Sequence, residues 1–425
     1  MIGWMSAFDL TAIFLALVGA AGWLNVRFLR LPSATVMVLV GAMGAGGLLA
    51  IRAVWPAQVS VSHVVRILGG IDFPRTVLGY MLAFLLFAGA MQVDLAELRR
   101  RRLSVWTLAT LGVLASTFIV GGGLWLTARW LGLGLAAPWA FVFGALISPT
   151  DPIAVLATVR HGNLSKTLET ILQAEALFND GVGIVVFTAA LGVATSGGGV
   201  HPWEVLGKVG VAAVGGGAVG FAMGLVVIGA MRSIDDYAVE VGLSLALATG
   251  AYALAQNLHL SGPIAVVVAG LLIGGSATRT AMSDTTRRYI KAFWTLIDEI
   301  LNALLFLLLG LELLVIPFNV SLAGLWACAV ALVLATRLAV VFPWGVYFHR
   351  SKQERGASLV LAWGGLHGAL SLALALSVPP GPARELILST TFAVVIFSVV
   401  VQATTFAPLA ARFSGEAEGK VSPPA

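Results

Sequence analysis

The chain is poor in charge and almost without cysteine. Only 11% of its 425 residues are Asp, Glu, Lys or Arg, while 59% are apolar. A soluble domain carries about 25% charged residues, so a water-soluble fold is excluded. Mean hydropathy is +0.97, which places the chain in a membrane. The single cysteine, Cys328, lies in an apolar run and cannot close an internal disulfide. It reads as a small buried residue. The chain lacks a GxxxxGKS or GxxxxGKT phosphate loop, an HExxH pair and a GxSxG turn, and its six histidines are scattered. These absences argue against an ATP-driven pump and against an intramembrane hydrolase. The protein is expected not to be an enzyme and to need no cofactor. A formal charge of +5 would suggest nucleic acid in a soluble protein. Here the basic residues sit in short connectors, so the expected partner is the lipid bilayer and not nucleic acid.

Thirteen apolar runs can be counted, at 8–28, 34–53, 77–93, 104–131, 138–159, 167–194, 204–231, 237–257, 262–277, 297–316, 321–348, 356–378 and 386–411. Each is near the roughly 20 residues that cross a bilayer as a helix. The fold class expected is an all-α polytopic membrane protein of about 13 transmembrane helices. Residues 57–73 read as an interfacial segment, and 194–201 as an exterior loop. Asp9 is the only charge in the first 26 residues, so the first run is expected to be a retained span and not a signal peptide. Eighteen of the 25 Lys and Arg fall in the odd connectors and the C-terminal tail, and six in the even connectors. The positive-inside rule then puts the N-terminus outside and the C-terminus in the cytoplasm. Six, one and six spans would allow two inverted repeats.

The remaining basic residue is Arg337, deep inside a span. The intramembrane ionisable groups are Asp151, Glu175, Asp180, Arg337 and His367, with Glu299 and Glu312 near span ends. A charge at the bilayer centre costs roughly 2.5 kcal/mol or more, so each is a candidate for function. In "SPTDP", Pro149 and Pro152 flank Thr150 and Asp151. Two prolines three residues apart should unwind the helix. The freed carbonyls, the Thr150 hydroxyl and the Asp151 carboxylate are all oxygen, which hard cations prefer. In "EALFND", Glu175 and Asn179 share a helical face, and Asp180 lies about 100° further round. Such a span must sit inside a bundle, with Asp180 facing a polar pocket. Arg337 needs an anion, and Glu175 is the preferred one. That leaves Asp180 without a counter-charge and able to change state. In "WGGLHGALS", Gly364, Gly365 and Gly368 permit a second helix break, at the position in the second half that "SPTDP" holds in the first.

These segments resemble the monovalent cation:proton antiporter family, in its sodium/proton exchanger branch. The likeness rests on "SPTDPIAVLATV", "EALFND", "SGPIAVVVAGLLIG", "LNALLFLLLGLELL", the span carrying Arg337 and "WGGLHGALSLALALS", in that order over roughly 30–410. It implies a single transporter domain over 1–412, with a short cytoplasmic tail at 413–425. A core bundle, near 104–194 and 321–411, would contain the two crossed discontinuous helices. A dimerisation scaffold, near 8–93 and 204–316, would hold a homodimer. Core movement against the scaffold would give alternating access. By the same likeness Asp180 binds Na+ or H+, with Asn179, Thr150 and Asp151 in support, Thr150 also touching the ion, and Glu175–Arg337 a structural pair. The expected activity is antiport of a monovalent cation for a proton, electroneutral and one for one, in a bacterial inner membrane. The cation is expected to be Na+, with Li+ or K+ as alternatives, and a cation channel is the weaker reading. Three positions depart from the family pattern. Ala88 stands where many relatives have Glu, Ala176 where many have Ser, and His367 where many have Arg. The first two remove oxygen ligands, which favours a looser site or potassium. His367 introduces a group that titrates near neutral pH when exposed to water, a possible modulator by pH.

Overall fold

The computed structural model describes residues 7–54, 73–151, 166–196, 202–275, 282–314, 319–350 and 357–414. Pro152, the interfacial segment apart from residue 73, and most of the 194–201 loop lie outside these residues. So do residues 415–425 of the tail. The described backbone is helical, and its one β-bridge joins Asp151 to Leu366. Backbone groups in hydrocarbon must bond within their own segment, and a helix does this without a partner.

The helices are α1 (Ala7–Leu24), α2 (Ser33–Val54), α3 (Leu82–Gln92), α4 (Leu95–Thr107), α5 (Val113–Trp130), α6 (Ala137–Ile147), α7 (Lys166–Thr195) and α8 (Pro202–Met231). They continue with α9 (Tyr237–Asn257), α10 (Gly262–Gly274), α11 (Asp284–Leu311), α12 (Ala323–Arg350), α13 (Ala357–Trp363), α14 (Ala369–Leu376), α15 (Pro382–Phe397) and α16 (Ala403–Ser414). Eight helical stretches among the described residues are long and apolar enough to cross a membrane. The other apolar runs fall on shorter or more polar helices. Run 77–93 is α3 preceded by a π-helical turn, and run 138–159 is α6 up to Ile147. Run 262–277 is α10, and run 356–378 is split between α13 and α14.

Two runs start earlier than expected. Run 297–316 belongs to α11, which begins at Asp284, where the Ser283 hydroxyl caps the Thr286 N–H. Run 104–131 begins as α4 at Leu95, capped by the Asp94 carboxylate. In both, charged residues suggest a connector, but a capped helix runs through them. The last helix, α16, runs to Ser414.

Buried side chains form two clusters. One joins α5, α6 and α12–α16 with α2 and the end of α11, around Phe143, Leu146, Phe306 and Phe406. The other joins α3, α9, α10 and the first half of α11. In it the buried Trp294 ring lies 4.6 Å from Phe87, and its indole N–H donates to Ser244 Oγ at 2.9 Å. α7 contributes to both clusters, through Ile171 and Leu172 to the first and Ala174 and Leu177 to the second. Asp180 therefore rides on the helix between the two packed groups.

Candidate functional site

The site is built where two helices stop in mid-chain. α6 ends at Ile147, ahead of Pro149, whose ring nitrogen has no proton to donate to the previous turn. α13 ends at Trp363 and α14 starts at Ala369, with Gly364, Gly365 and Gly368 between. The two extended stretches meet side by side. The Asp151 N–H donates to the Leu366 carbonyl at 2.7 Å, so each break satisfies part of the other's freed backbone. His367 is buried, and its Nδ1–H donates to the Pro149 carbonyl at 3.2 Å. A carbonyl only accepts, so this contact fixes the tautomer. His367 serves here as a tie between the breaks.

α7 supplies the side chains that face this crossing. Asn179 is buried and held on both sides of its carboxamide. Its Nδ2–H donates to Thr150 Oγ1 at 2.8 Å, and its Oδ1 accepts from the Thr150 N–H at 3.4 Å. Asn179 thus replaces the helical partner that Thr150 lost. One residue on, Asp180 is half-buried and has no hydrogen-bond partner among the described residues. Among the described residues, the like charge of Asp151 acts on it. A cation placed near both carboxylates, or a proton on one, relieves that repulsion.

The Glu175–Arg337 contact lies one turn away on α7. Arg337 Nη1 and Nη2 donate to Glu175 Oε1 and Oε2, the second at 2.9 Å, and Nη2 also reaches the Leu361 carbonyl at 3.2 Å. Both side chains are buried. The fork geometry of a guanidinium on a carboxylate is the strong form of this bond. It neutralises both charges and ties α7 and α12 to the end of α13.

Comparison with known proteins settles the family. A family model described as sodium/hydrogen exchanger, transmembrane, matches residues 13–412. The chain belongs to the sodium/hydrogen exchanger family. Among its relatives, the Na+/H+ antiporter NhaP of Pseudomonas aeruginosa is 43% identical over 414 residues, 95% of this chain and 96% of that one. The Na+/H+ antiporter NhaH of Halobacillus aidingensis is 35% identical over 399 residues, covering 90% and 92%. The solved structure of the sodium proton antiporter MjNhaP1 from Methanocaldococcus jannaschii at pH 8 matches with a TM-score of 0.69 at 22% identity. It covers 93% of this chain and 98% of that chain, which shows a shared fold.

The exchanger is an integral membrane protein. Ala88 on α3 and Ala176 on α7 are almost fully covered. Neither offers a polar atom beyond its backbone. Glu312 is buried at the end of α11, and Glu299 is exposed earlier on the same helix. Several polar residues near the crossing escape a search confined to ionisable groups. Ser148 Oγ donates to the Gly144 carbonyl at 2.6 Å and lies 3.0 Å from Thr117 Oγ1. Gln402 sits in a π-helical turn, Ser398–Gln402, and its Nε2–H donates to the Trp363 carbonyl at the start of the second break, at 3.4 Å. Such turns recur at functional sites, where they re-aim a side chain. The sequence signal was an amide inside the apolar run 386–411.

Glycine is required at two positions of the second break for close approach. A Cβ at Gly365 would overlap the Arg337 guanidinium, and one at Gly368 would overlap the Asp151 carboxylate. The N-terminal end of α14, which carries partial positive charge, therefore lies directly against Asp151. Gly368→Ala is expected to push Asp151 away and loosen its bond to Leu366. Exchange should fall at least tenfold and thermal stability should drop by about 1–3 kcal/mol, as for an overpacked core. Flux in liposomes and thermal unfolding in detergent measure the two. Wild-type values for both would show that the crossing tolerates a methyl group there.

Proposed function

We propose that the protein exchanges one sodium ion for one proton across a bacterial inner membrane, with both competing for Asp180. The observation that carries this reading is the Asp180 carboxylate, half-buried and without a hydrogen-bond partner among the described residues, next to Asn179, which is locked to the broken helix. A carboxylate can bind a cation or a proton, and one excludes the other. Burial disfavours its bare charge, so the empty anionic form is poorly suited to crossing. Exchange follows from that competition without a chemical energy source. Asn179 and Thr150 position the oxygens around the ion, Thr150 itself contributing one. The Glu175–Arg337 pair holds the frame. The core near 104–194 and 321–411 would move against a scaffold near 8–93 and 204–316 in a homodimer, with the N-terminus outside and the C-terminus in the cytoplasm.

The exchange is electroneutral in this scheme. Asn179 has the shape of a second carboxylate but cannot titrate. Asp151 lies against the N-terminal end of α14 and is given no proton to carry in this scheme. One titrating group then moves one proton for one cation. Apparent sodium affinity should weaken as pH falls, because protons occupy Asp180. Sodium-driven proton flux, recorded in sealed liposomes with and without a clamped membrane potential, tests this. The rate should not respond to the potential. A potential-dependent rate, or two protons per cation, would refute the one-carboxylate scheme and point to Asp151. Lithium and potassium arms of the same assay report whether Ala88 and Ala176 have loosened the site.

A further inference from the structure

The second break has an outer side as well as an inner one. On that outer side, α12, α13 and α16 enclose a groove of about 580 Å³. Leu334, Leu338, Leu359, Trp363 and Pro408 line it, and Arg412 in the last turn of α16 lies at its rim. Leu338 and Leu359 are 40% and 48% exposed, so the groove opens away from the protein. In this membrane protein that means it opens to lipid. Arg412 is exposed and has no anionic partner among the described residues. Its end of α16 leads into the tail that charge asymmetry places in the cytoplasm.

We propose that this groove binds an anionic phospholipid of the cytoplasmic leaflet, with an acyl chain against Leu334, Leu338 and Leu359 and the phosphate on Arg412. The two features select the ligand together. The apolar wall suits a hydrocarbon chain and offers nothing to a free anion. The cation at the rim suits a headgroup with net negative charge and discriminates against a zwitterionic one. The site also touches the transport machinery from behind. Trp363 is the last residue before the break, and its indole N–H donates to Thr405 Oγ1 at 3.0 Å. Leu334 and Leu338 flank Arg337 on α12, so a bound chain would press on the turn that holds the ion pair. The lipid would act as a removable part of the wall behind the break. This inference is independent of which ion is carried.

Native mass spectrometry of the delipidated full-length protein tests it, using phosphatidylglycerol and phosphatidylcholine with the same acyl chains. The wild type should retain phosphatidylglycerol over phosphatidylcholine. Arg412→Gln should weaken phosphatidylglycerol retention about fivefold, which is about 1 kcal/mol for one basic residue at an anionic surface, and leave phosphatidylcholine unchanged. Ala335→Trp, at an exposed α12 position lining the groove, should reduce retention of both lipids. Both side chains are exposed, so both variants should elute as the wild type does on gel filtration. Equal retention of the two lipids by the wild type would overturn the proposal. So would an Arg412→Gln protein with wild-type preference, or an Ala335→Trp protein with undiminished binding. Thermal stabilisation by inorganic phosphate equal to that by phosphatidylglycerol would show a free-anion site and would equally overturn it.

Discussion

Asp180→Asn should bring sodium-driven proton movement to background while the protein still inserts and elutes as a folded species. The substitution keeps the shape and removes the charge. An amide neither takes up a proton nor compensates a cation, so both halves of the exchange fail together. The surroundings give no reason for misfolding. Asp180 makes no hydrogen bond among the described residues that the amide would break, and the Asn179–Thr150 bracket does not involve it. Asp180→Glu should retain measurable exchange at altered sodium affinity, because it moves the carboxylate by one methylene. Liposome flux with gel filtration as a folding control separates these outcomes. Normal exchange by the Asn variant would remove Asp180 from the mechanism.

The second large effect is on stability. Glu175→Leu and Arg337→Leu should each cost about 3–5 kcal/mol, because each leaves a buried charge without its partner. The two losses should be unequal. Arg337 cannot shed its charge, and without Glu175 it keeps, among the described residues, only the Leu361 carbonyl. Glu175→Leu should therefore be the more damaging. The double variant should recover part of the loss, because it removes both charges from the same space. Thermal unfolding in detergent across the four proteins gives the cycle. Additive losses would mean that the two residues do not interact.

Much of this site could be read from the chain because charge in hydrocarbon is costly. That rule singles out Asp151, Glu175, Asp180, Arg337 and His367 among 425 residues. Helical spacing then puts Glu175 and Asn179 on one face, and a lone buried guanidinium demands a carboxylate. Proline at 149 and the glycines at 364, 365 and 368 mark the two breaks. What the sequence does not carry is which partners the unwound segments find. The Asp151–Leu366 bridge and the His367–Pro149 bond join residues more than 200 positions apart. No local pattern encodes them. The histidine at 367 is legible as an ionisable group, but its bond to the Pro149 carbonyl is not. Neutral polar residues such as Gln402 and Ser148 were invisible for a related reason. They cost less to bury than charges and stand out less in an apolar run. Helix starts are hidden where polarity looks like a connector, since α4 and α11 both carry charges in their first halves.

In the proposed mechanism one proton and one cation compete for one carboxylate. Calorimetric titration of the purified protein with sodium, in buffers of different ionisation enthalpy, counts the protons released per ion bound. One proton should leave for each sodium at acidic pH, with release falling toward zero as pH rises. In the acidic range apparent affinity should weaken by about tenfold per pH unit, the slope of a one-proton linkage. Asp180→Asn should show neither sodium binding nor proton release. Sodium binding of constant affinity with no proton released, or two protons released for each sodium, would contradict the account.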